Sequence, residues 1–198
     1  ERFGRSVVTI TAHGVAGHAG NRPEYTANPF VELSDVVEYL ESRCDRERGI
    51  WYSPVSLHGG DKGPTAMTPE DAYVIYDIRY VDETLQKEAE ETLRSLKPKQ
   101  ANVHFEISGG MEKPPFRQTE ASSWLPARAK AIVEEMGHPF LPTRLGGGSD
   151  ANFTAAAGCP TLCGLGLNGD FLHNPKEYVV IHTIPDRVAL LAELIRTI

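Results

Sequence analysis

The sequence predicts an α+β fold, with a ferredoxin-like domain over residues 1–111 joined to a smaller α/β region over residues 112–198. Over residues 1–109, the segment patterns follow one another as strand–helix–strand–strand–helix–strand, the order of the split βαβ motif. The composition changes at the glycine- and proline-containing segment 108–115, which we take as the boundary. Beyond it, helices alternate with short apolar stretches, which is typical of a largely parallel sheet. The two or three strands expected there are too few for a stable layer, so this region reads as half of a domain.

In the first domain, hydrophobic periodicity and capping residues place the elements. Strands are predicted over residues 4–15, 50–57, 72–80 and 103–107, and helices over residues 28–44 and 81–96. Asn28 followed by Pro29 is a typical helix start, because the side chain caps the first turn and proline fits the first helical position. Asp82 is the expected cap of the second helix. Pro54 cannot donate to a sheet ladder, so its strand is expected at an edge or with a bulge. One face of strand 72–80 carries Tyr73, Ile75, Asp77 and Arg79.

The second region has weaker signals. Helices are predicted over residues 120–136, 150–157 and 185–198, and short strands over residues 140–144 and 160–163. Ser149 is the expected cap of the middle helix, and Gly158 is its expected end. The cysteines Cys44, Cys159 and Cys163 form neither a CxxC pair nor an even framework. Because Cys159 and Cys163 flank an apolar run, we expect them to be buried.

Composition excludes several functional classes. The chain has 198 residues and a net charge of −7 with dispersed acidic residues, which argues against nucleic acid and anionic membrane surfaces as partners. No apolar run approaches the ~18 residues of a membrane span. The chain opens at Glu1 without a methionine, so we expect it to be a piece of a longer protein. Its compartment, cytoplasmic or periplasmic, stays open.

A triple glycine is the most distinctive local motif. Gly146-Gly147-Gly148 leads into the helix predicted after Ser149, which is a pattern suited to an anion because bare backbone N–H groups can approach it closely. His173 lies on a glycine-flanked loop over residues 164–174, where functional side chains are often found. Residue patterns alone leave two interpretations open: a functional site, or a helix-start turn and a surface histidine.

Four segments together resemble the zinc-dependent peptidases of the aminoacylase and glutamate carboxypeptidase family, with bacterial glutamate carboxypeptidases as the nearest members. They are residues 14–24 with His18-Ala19-Gly20, Asp77-Ile78-Arg79-Tyr80, residues 146–151, and residues 165–184 with His173. Their order and spacing match across the whole chain.

The resemblance implies a two-zinc α/β catalytic domain interrupted by a ferredoxin-like lid that dimerises. Residues 1–111 would be the lid, and residues 112–198 the C-terminal half of the catalytic domain. The missing N-terminal half would carry most zinc ligands and the general-base glutamate, so the chain as given is expected to be inactive, with at most a partial zinc site. The intact homodimer would use a zinc-bridged water to hydrolyse an amide bond in a small peptide or an N-acyl amino acid.

The resemblance also assigns roles to single residues. His173 would ligate one zinc through a neutral imidazole. His18 would reach across the dimer and hydrogen-bond the carbonyl oxygen as charge develops on it. The substrate carboxylate would be held by cations and backbone amides, namely Lys113, Arg144, Arg79, Gly148 and Ser149. Two positions that bear on glutamate specificity depart from the family pattern: Lys113 stands where relatives have arginine, and residues 65–69 lack the usual asparagine.

Two alternatives remain. The stretch Gly147-Gly148-Ser149-Asp150-Ala151 nearly fits the G-x-S-x-G motif, so Ser149 could be a serine-hydrolase nucleophile with His173 as its base. Alternatively, the chain is a non-catalytic dimerisation or binding module in which an exposed sheet edge is the functional element.

Overall fold

The computed structural model describes residues 1–60 and 65–197, which form an α+β fold as predicted. The strands are β1 (Gly4–His13), β2 (Gly17–His18), β3 (Ile50–Gly59), β4 (Met67–Thr68), β5 (Asp71–Tyr80), β6 (His104–Lys113), β7 (Gly169–Asp170) and β8 (Tyr178–Val179). The α-helices are α1 (Pro29–Ser42), α2 (Glu83–Arg94), α3 (Trp124–Glu135), α4 (Ala151–Ala156) and α5 (Ile184–Thr197). The turn-rich loop predicted over residues 58–69 contains positions 61–64, which lie outside the described residues. None of the described helices has the length and apolar character needed to cross a bilayer.

The four long strands form one antiparallel sheet in the order β3-β5-β1-β6, with α1 and α2 packed on one face. This is the strand order of a split βαβ motif, so the predicted ferredoxin-like topology is confirmed. Strand β1 pairs along its whole length with β5, from Gly4 opposite Tyr80 to His13 opposite Asp71. The start of β1 and the ends of β5 and β6 therefore lie at the same end of the sheet, measured along the strands. We call this end the foot.

The core lies between the sheet and the two helices. Alternate residues of β1 and β5, such as Ile10 and Val74, are fully buried beneath Leu33 and Leu40 of α1. Each such side chain stabilises the fold by about 1.5–3 kcal/mol. The opposite face of β5 carries the predicted set of Tyr73, Ile75, Asp77 and Arg79, which are half-buried or exposed.

Both helix caps predicted in the first domain are confirmed. The Asn28 side chain accepts a hydrogen bond from the Phe30 N–H, and the Asp82 side chain accepts one from the Leu85 N–H at 2.9 Å. Because Asp82 has extended backbone angles, α2 begins at Glu83 rather than at residue 81.

A buried carboxylate joins α1 to the segment that precedes β6. Glu32 is 1% exposed, and its two oxygens accept hydrogen bonds from the backbone N–H groups of Lys99 and Gln100, each at 2.8 Å. Charge-assisted bonds of this kind offset the cost of burying the carboxylate.

The two edge strands differ from their predicted lengths. Strand β3 bulges between Pro54 and Ser56, which confirms the edge position and the bulge expected at Pro54. Strand β6 continues to Lys113 instead of ending at residue 107, and so passes through the expected boundary at residue 111. At Gly109 the backbone has φ +92°, and an added Cβ would lie 2.3 Å from the Val7 carbonyl oxygen. Glycine therefore permits the close pairing with β1 that the composition alone did not reveal.

Several predictions for the second region are wrong. Residues 140–144 and 160–163 are irregular rather than strands, since the described chain offers them no neighbouring parallel strand with which to pair. The helix predicted over residues 120–136 divides into a 3₁₀ turn and α3. Cys159 is exposed and Cys163 is half-buried, so the expected burial is also wrong. The last predicted helix is confirmed as α5, and Ile198 lies outside the described residues.

Helices α3 and α5 pack on each other through a small core. Its buried residues are Ala129, Ile132, Leu190 and Leu194. A cavity of about 840 Å³ opens beside this contact, between the helices and the irregular segments near residues 138–145 and 161–168. The apolar layer of the second region is therefore only partly covered within the described residues.

Candidate functional site

The triple glycine lies at the foot of the sheet. The Gly146 carbonyl accepts a hydrogen bond from Arg79 Nη1 at 2.9 Å, and the Gly147 carbonyl accepts one from Arg2 Nη1 at 3.4 Å. A Cβ on Gly148 would meet Lys113 Cδ at 2.9 Å, so the lysine side chain lies directly against this glycine. The structure thus brings Arg79, Lys113 and the glycine loop together, although they are distant in sequence.

Asn152, on the first turn of α4, fixes this loop to the sheet. Its side chain is fully buried. Its Nδ2 donates to the carbonyl oxygens of Phe3, at 3.0 Å, and Pro114, at 2.7 Å. Its Oδ1 accepts from the Ser149 N–H at 2.9 Å. Asn152 therefore joins the start of β1, the residue after β6 and the glycine loop, and it was not among the predicted site residues.

Arg79 belongs to a paired-charge cluster. Its guanidinium donates to the Asp77 carboxylate as well as to the glycine loop, and Arg5 donates to the same carboxylate at 2.7 Å. Burial alone would raise the pKa of Asp77, but the hydrogen bonds and charges of Arg79 and Arg5 lower it overall. Asp77 is consequently held ionised, and most of the Arg79 donors are engaged within the chain.

Lys113 forms an ion pair with a carboxylate that an anionic ligand could displace. Its Nζ lies 3.1 Å from Asp150 Oδ1 and 5.4 Å from the centre of the Phe153 ring. The Asp150 side chain is 97% exposed, whereas that of Lys113 is 27% exposed. A pair with so exposed a carboxylate contributes little stability, so an incoming anion could replace Asp150 at small cost.

Arg144 lies further from the glycine loop. Its Nε and Nη2 contact the Glu1 carboxylate, both at 2.7 Å. Together with Cys163 it lines the cavity of about 840 Å³. Neither Gly148 nor His173, both within the described chain, lines that cavity.

Ser149 does not have the surroundings of a hydrolytic nucleophile. Its Oγ accepts a hydrogen bond from the Ala151 N–H at 3.3 Å, and Cys163 Sγ lies 3.4 Å away. Burial alone would raise the pKa of the Cys163 thiol, but contacts with Ser149 and Arg2 lower it overall. Within residues 1–60 and 65–197, no histidine is hydrogen-bonded to this serine, so the base that a nucleophilic serine needs is not supplied. Asp150 rather than Ser149 occupies the N-cap position of α4, because the helix begins one residue later than expected.

His18 lies at the other end of β1, beyond His13. The short ladder between β2 and β4 holds the loop, with His18 opposite Met67. The Gly20 N–H donates to His18 Nδ1 at 3.1 Å, which places the ring proton of a neutral His18 on Nε2. The imidazole is exposed, so Nε2–H can donate to a group outside the chain.

His173 lies on an exposed loop that is unusual in its backbone. His173 has φ +64° and Phe171 has φ +60°, and the β7–β8 ladder closes the loop. Non-glycine residues adopt this region rarely, and such strain occurs often at functional sites. The contacts of the glycine loop in the described chain do not include His173.

The described side chains do not form a metal site by themselves. Among them, no group of three or more histidine, cysteine, aspartate or glutamate side chains is arranged to hold a metal ion. A zinc site needs three or four protein ligands, and the described residues do not supply that number by themselves.

Comparison with known proteins identifies the first part of the chain. The family model described as the peptidase dimerisation domain matches residues 1–104. Carboxypeptidase G2 of Pseudomonas sp. (strain RS-16) is 31% identical over 198 residues, which cover 97% of this chain and 47% of that protein. The chain spans about half the length of the curated relatives it matches.

Solved structures share the fold at lower identity. Aminopeptidase PepT of Bacillus cereus superposes with a TM-score of 0.81 and 18% identity, covering 98% of this chain and 51% of that one. The YXEP protein of Bacillus subtilis, described as a dinuclear metal binding peptidase, gives a TM-score of 0.73 and 14% identity. That match covers 100% of this chain and 52% of the YXEP chain.

Proposed function

This chain belongs to the M20 peptidase family, and we propose that the protein containing it hydrolyses an amide bond next to a carboxylate-bearing residue. In this proposal residues 1–111 are the lid and dimerisation domain, and residues 112–198 are the C-terminal half of a catalytic domain. The relatives are about twice as long, which supports the view that a further half completes the site. The substrate would be a small peptide or an N-acyl amino acid, cleaved in the manner of a carboxypeptidase or amidohydrolase.

The observation that carries this proposal is the meeting of Lys113 with the glycine loop at the foot of the sheet. Within the described residues, the ion-pair partner of Lys113 Nζ is the exposed carboxylate of Asp150, and the exposed Gly148 lies directly against the lysine side chain. A fixed cation beside bare amides suits a carboxylate. We infer that Lys113, Gly148 and the hydroxyl of Ser149, whose N–H already donates to Asn152 Oδ1, hold the substrate carboxylate. Arg144 would act from the cavity side, and Arg79 would fix the loop and contribute charge.

His18 is proposed to act in the site of a second copy. The ten-residue strand β1 separates its loop from the glycine loop by about 30 Å, so His18 does not reach the foot of its own chain. The exposed Nε2–H would donate to the carbonyl oxygen as negative charge develops there, an interaction worth about 3 kcal/mol in a dry site. A homodimer through the lid would bring the two halves of each site together.

Zinc is the proposed metal, with His173 as one ligand. The YXEP protein is described as dinuclear metal binding, which supports a metal-dependent reaction in this family. Zinc when bound would polarise the carbonyl and activate water. Because this chain offers too few ligands by itself, the remaining ligands would come from the preceding half.

A complementation experiment tests the shared site. His18→Ala and His173→Ala variants of the full-length protein should each be inactive as homodimers. Mixed dimers contain one site with both histidines intact and one site with neither, so an equal mixture should regain about a quarter of the wild-type rate. His138→Ala is the matched control, since His138 is an exposed histidine paired with Asp186 and should stay fully active.

Two results would contradict the proposal. If mixing restores no activity while both variants remain dimeric, His18 does not serve the partner's site. If the His173→Ala variant keeps the full metal content of the wild type, measured by elemental analysis, His173 is not a ligand.

A non-catalytic dimerisation module is the second candidate for the chain as it stands. The edge strand β3 exposes Val55 at 60% and Leu57 at 54%. An exposed apolar edge strand is suited to pairing with another strand. In that case the isolated chain should sediment as a dimer and bind no stoichiometric zinc, and the full-length protein should hydrolyse no acyl amino acid.

A further inference from the structure

The guanidinium of Arg22, four residues after His18, has no ion-pair or hydrogen-bond partner among the residues that the structure describes. The arginines of the described chain are engaged in ion pairs or carbonyl hydrogen bonds, with two exceptions, Arg22 and Arg46. Both exceptions are exposed. A guanidinium carries five donors and a permanent charge, so an arginine without an internal partner is free to bind an external anion.

The loop nevertheless holds Arg22 in a defined place. Its Cζ lies 5.8 Å from the centre of the Tyr25 ring, and its carbonyl accepts the Tyr25 N–H at 3.1 Å. This cation–π contact uses none of the guanidinium N–H donors, so they are left for an acceptor outside the chain. The Tyr25 ring is itself 65% exposed, so this pair projects from the loop instead of packing into the core.

The backbone ties Arg22 to His18. The Asn21 N–H donates to the His18 carbonyl at 3.3 Å, which closes a tight turn directly before Arg22. Arg22 has φ +55°, a conformation that costs a non-glycine residue about 1 kcal/mol or more. Glycine would relieve this cost, yet the position carries a long cation.

We propose that Arg22 is a specificity-determining residue, which binds a second carboxylate of the substrate in the same site as His18. This inference rests on the proposed function, because it places the loop against the active site of another copy. The ligand class is a substrate with a carboxylate within a few bonds of the scissile carbonyl, in addition to the one held by Lys113. That carboxylate could belong to an acidic amino-acid side chain or to a dicarboxylic acyl group, and it would accept a bidentate hydrogen bond from the guanidinium.

Isosteric substrate pairs test this assignment in the full-length protein. N-acetyl-glutamate against N-acetyl-glutamine tests the side chain, and N-succinyl-alanine against N-succinamoyl-alanine tests the acyl group. The wild type should prefer the carboxylate in one pair. Arg22→Gln should raise KM for that substrate ~10- to 100-fold and change kcat/KM of its amide counterpart less than about twofold, since only the carboxylate loses a charge-assisted bond. Arg22→Lys should fall between, because lysine keeps the charge but not the fork.

Arg46→Gln is the matched control, as it removes an equally unpartnered and exposed guanidinium far from His18. Thermal unfolding of both glutamine variants should match the wild type, since glutamine at position 22 meets the same backbone cost as arginine at φ +55° and Arg46 is exposed. If Arg22→Gln retains the carboxylate preference, or weakens both members of a pair equally, the inference is wrong while the hydrolytic function stands. If the wild type hydrolyses none of the four compounds, the proposed function fails and this inference fails with it.

Discussion

Replacing Asn152 with alanine tests the connection between α4 and the sheet. The substitution removes a fully buried amide that joins the glycine loop to the carbonyls of Phe3 and Pro114. It also leaves the Ser149 N–H without its acceptor. Alanine is a good helix former, so the helix itself loses nothing from the change.

The expected loss of stability follows from three backbone groups that lose their hydrogen-bond partner: the carbonyls of Phe3 and Pro114 and the N–H of Ser149. A buried polar group that loses its partner costs about 1–3 kcal/mol, and one water entering the space of the deleted amide would satisfy part of this demand. We therefore expect the free energy of unfolding to fall by about 3–5 kcal/mol. In a chain of this size, each kcal/mol lowers the melting temperature by about 2–4 °C, so Tm should fall by about 6–20 °C.

Urea unfolding followed by circular dichroism measures the global effect, and hydrogen exchange of the Ser149 amide measures the local one. Asn168→Ala is the matched control, because Asn168 is exposed and its side chain forms no hydrogen bond within the described residues. It should change stability by less than about 0.5 kcal/mol. If Asn152→Ala changes stability as little as this control and leaves exchange at Ser149 unaltered, the reasoning is refuted.

Three further changes probe other parts of the fold. Glu32→Gln replaces one acceptor with a donor that faces a backbone N–H, and should cost about 2–3 kcal/mol in urea unfolding, whereas Glu38→Gln on the exposed side of the same helix should cost almost nothing. Gly109→Ala places a Cβ 2.3 Å from a backbone oxygen and should lower Tm by several degrees. Gly166→Ala is its control and should leave Tm almost unchanged, because a Cβ added there would have no packing neighbour within 4 Å. Hydrogen bonds and charges from Asp71 and Glu106 raise the pKa of His13, although partial burial alone would lower it. The His13 ring also stacks on His104. A raised pKa means that the folded state binds the proton more tightly, so the stabilisation is complete below the ordinary histidine pKa and is lost as pH rises through the folded value. The difference in Tm between the wild type and His13→Gln should therefore shrink as pH rises from about 5 to about 9, a range that spans the ordinary histidine pKa of about 6.5. A difference that grows with pH would contradict this reasoning.

Much of the lid could be predicted because its signals are local. Alternating apolar residues place β1 and β5, and Asn28 and Asp82 fix the helix starts through contacts with residues two or three positions away. The predictions for residues 140–144 and 160–163 are wrong for a related reason. Their composition suits a strand, but a strand exists only when another strand pairs with it.

The candidate site also has residues that the sequence predicted and residues that it did not. Its residue types could be read from the sequence, including Lys113, the glycine loop and the two loop histidines. The role of Asn152 could not be predicted from the sequence, because nothing local distinguishes it from other asparagines in the first turn of a helix until its hydrogen-bond partners are known. Its donor reaches a carbonyl 149 positions away in the chain, and Lys113 meets Asp150 across 37 positions. By itself, then, the sequence determined the lid topology and the chemical groups available, while only tertiary packing decided which groups meet, since buried hydrogen bonds and ion pairs between distant segments form only after the core has placed their backbones.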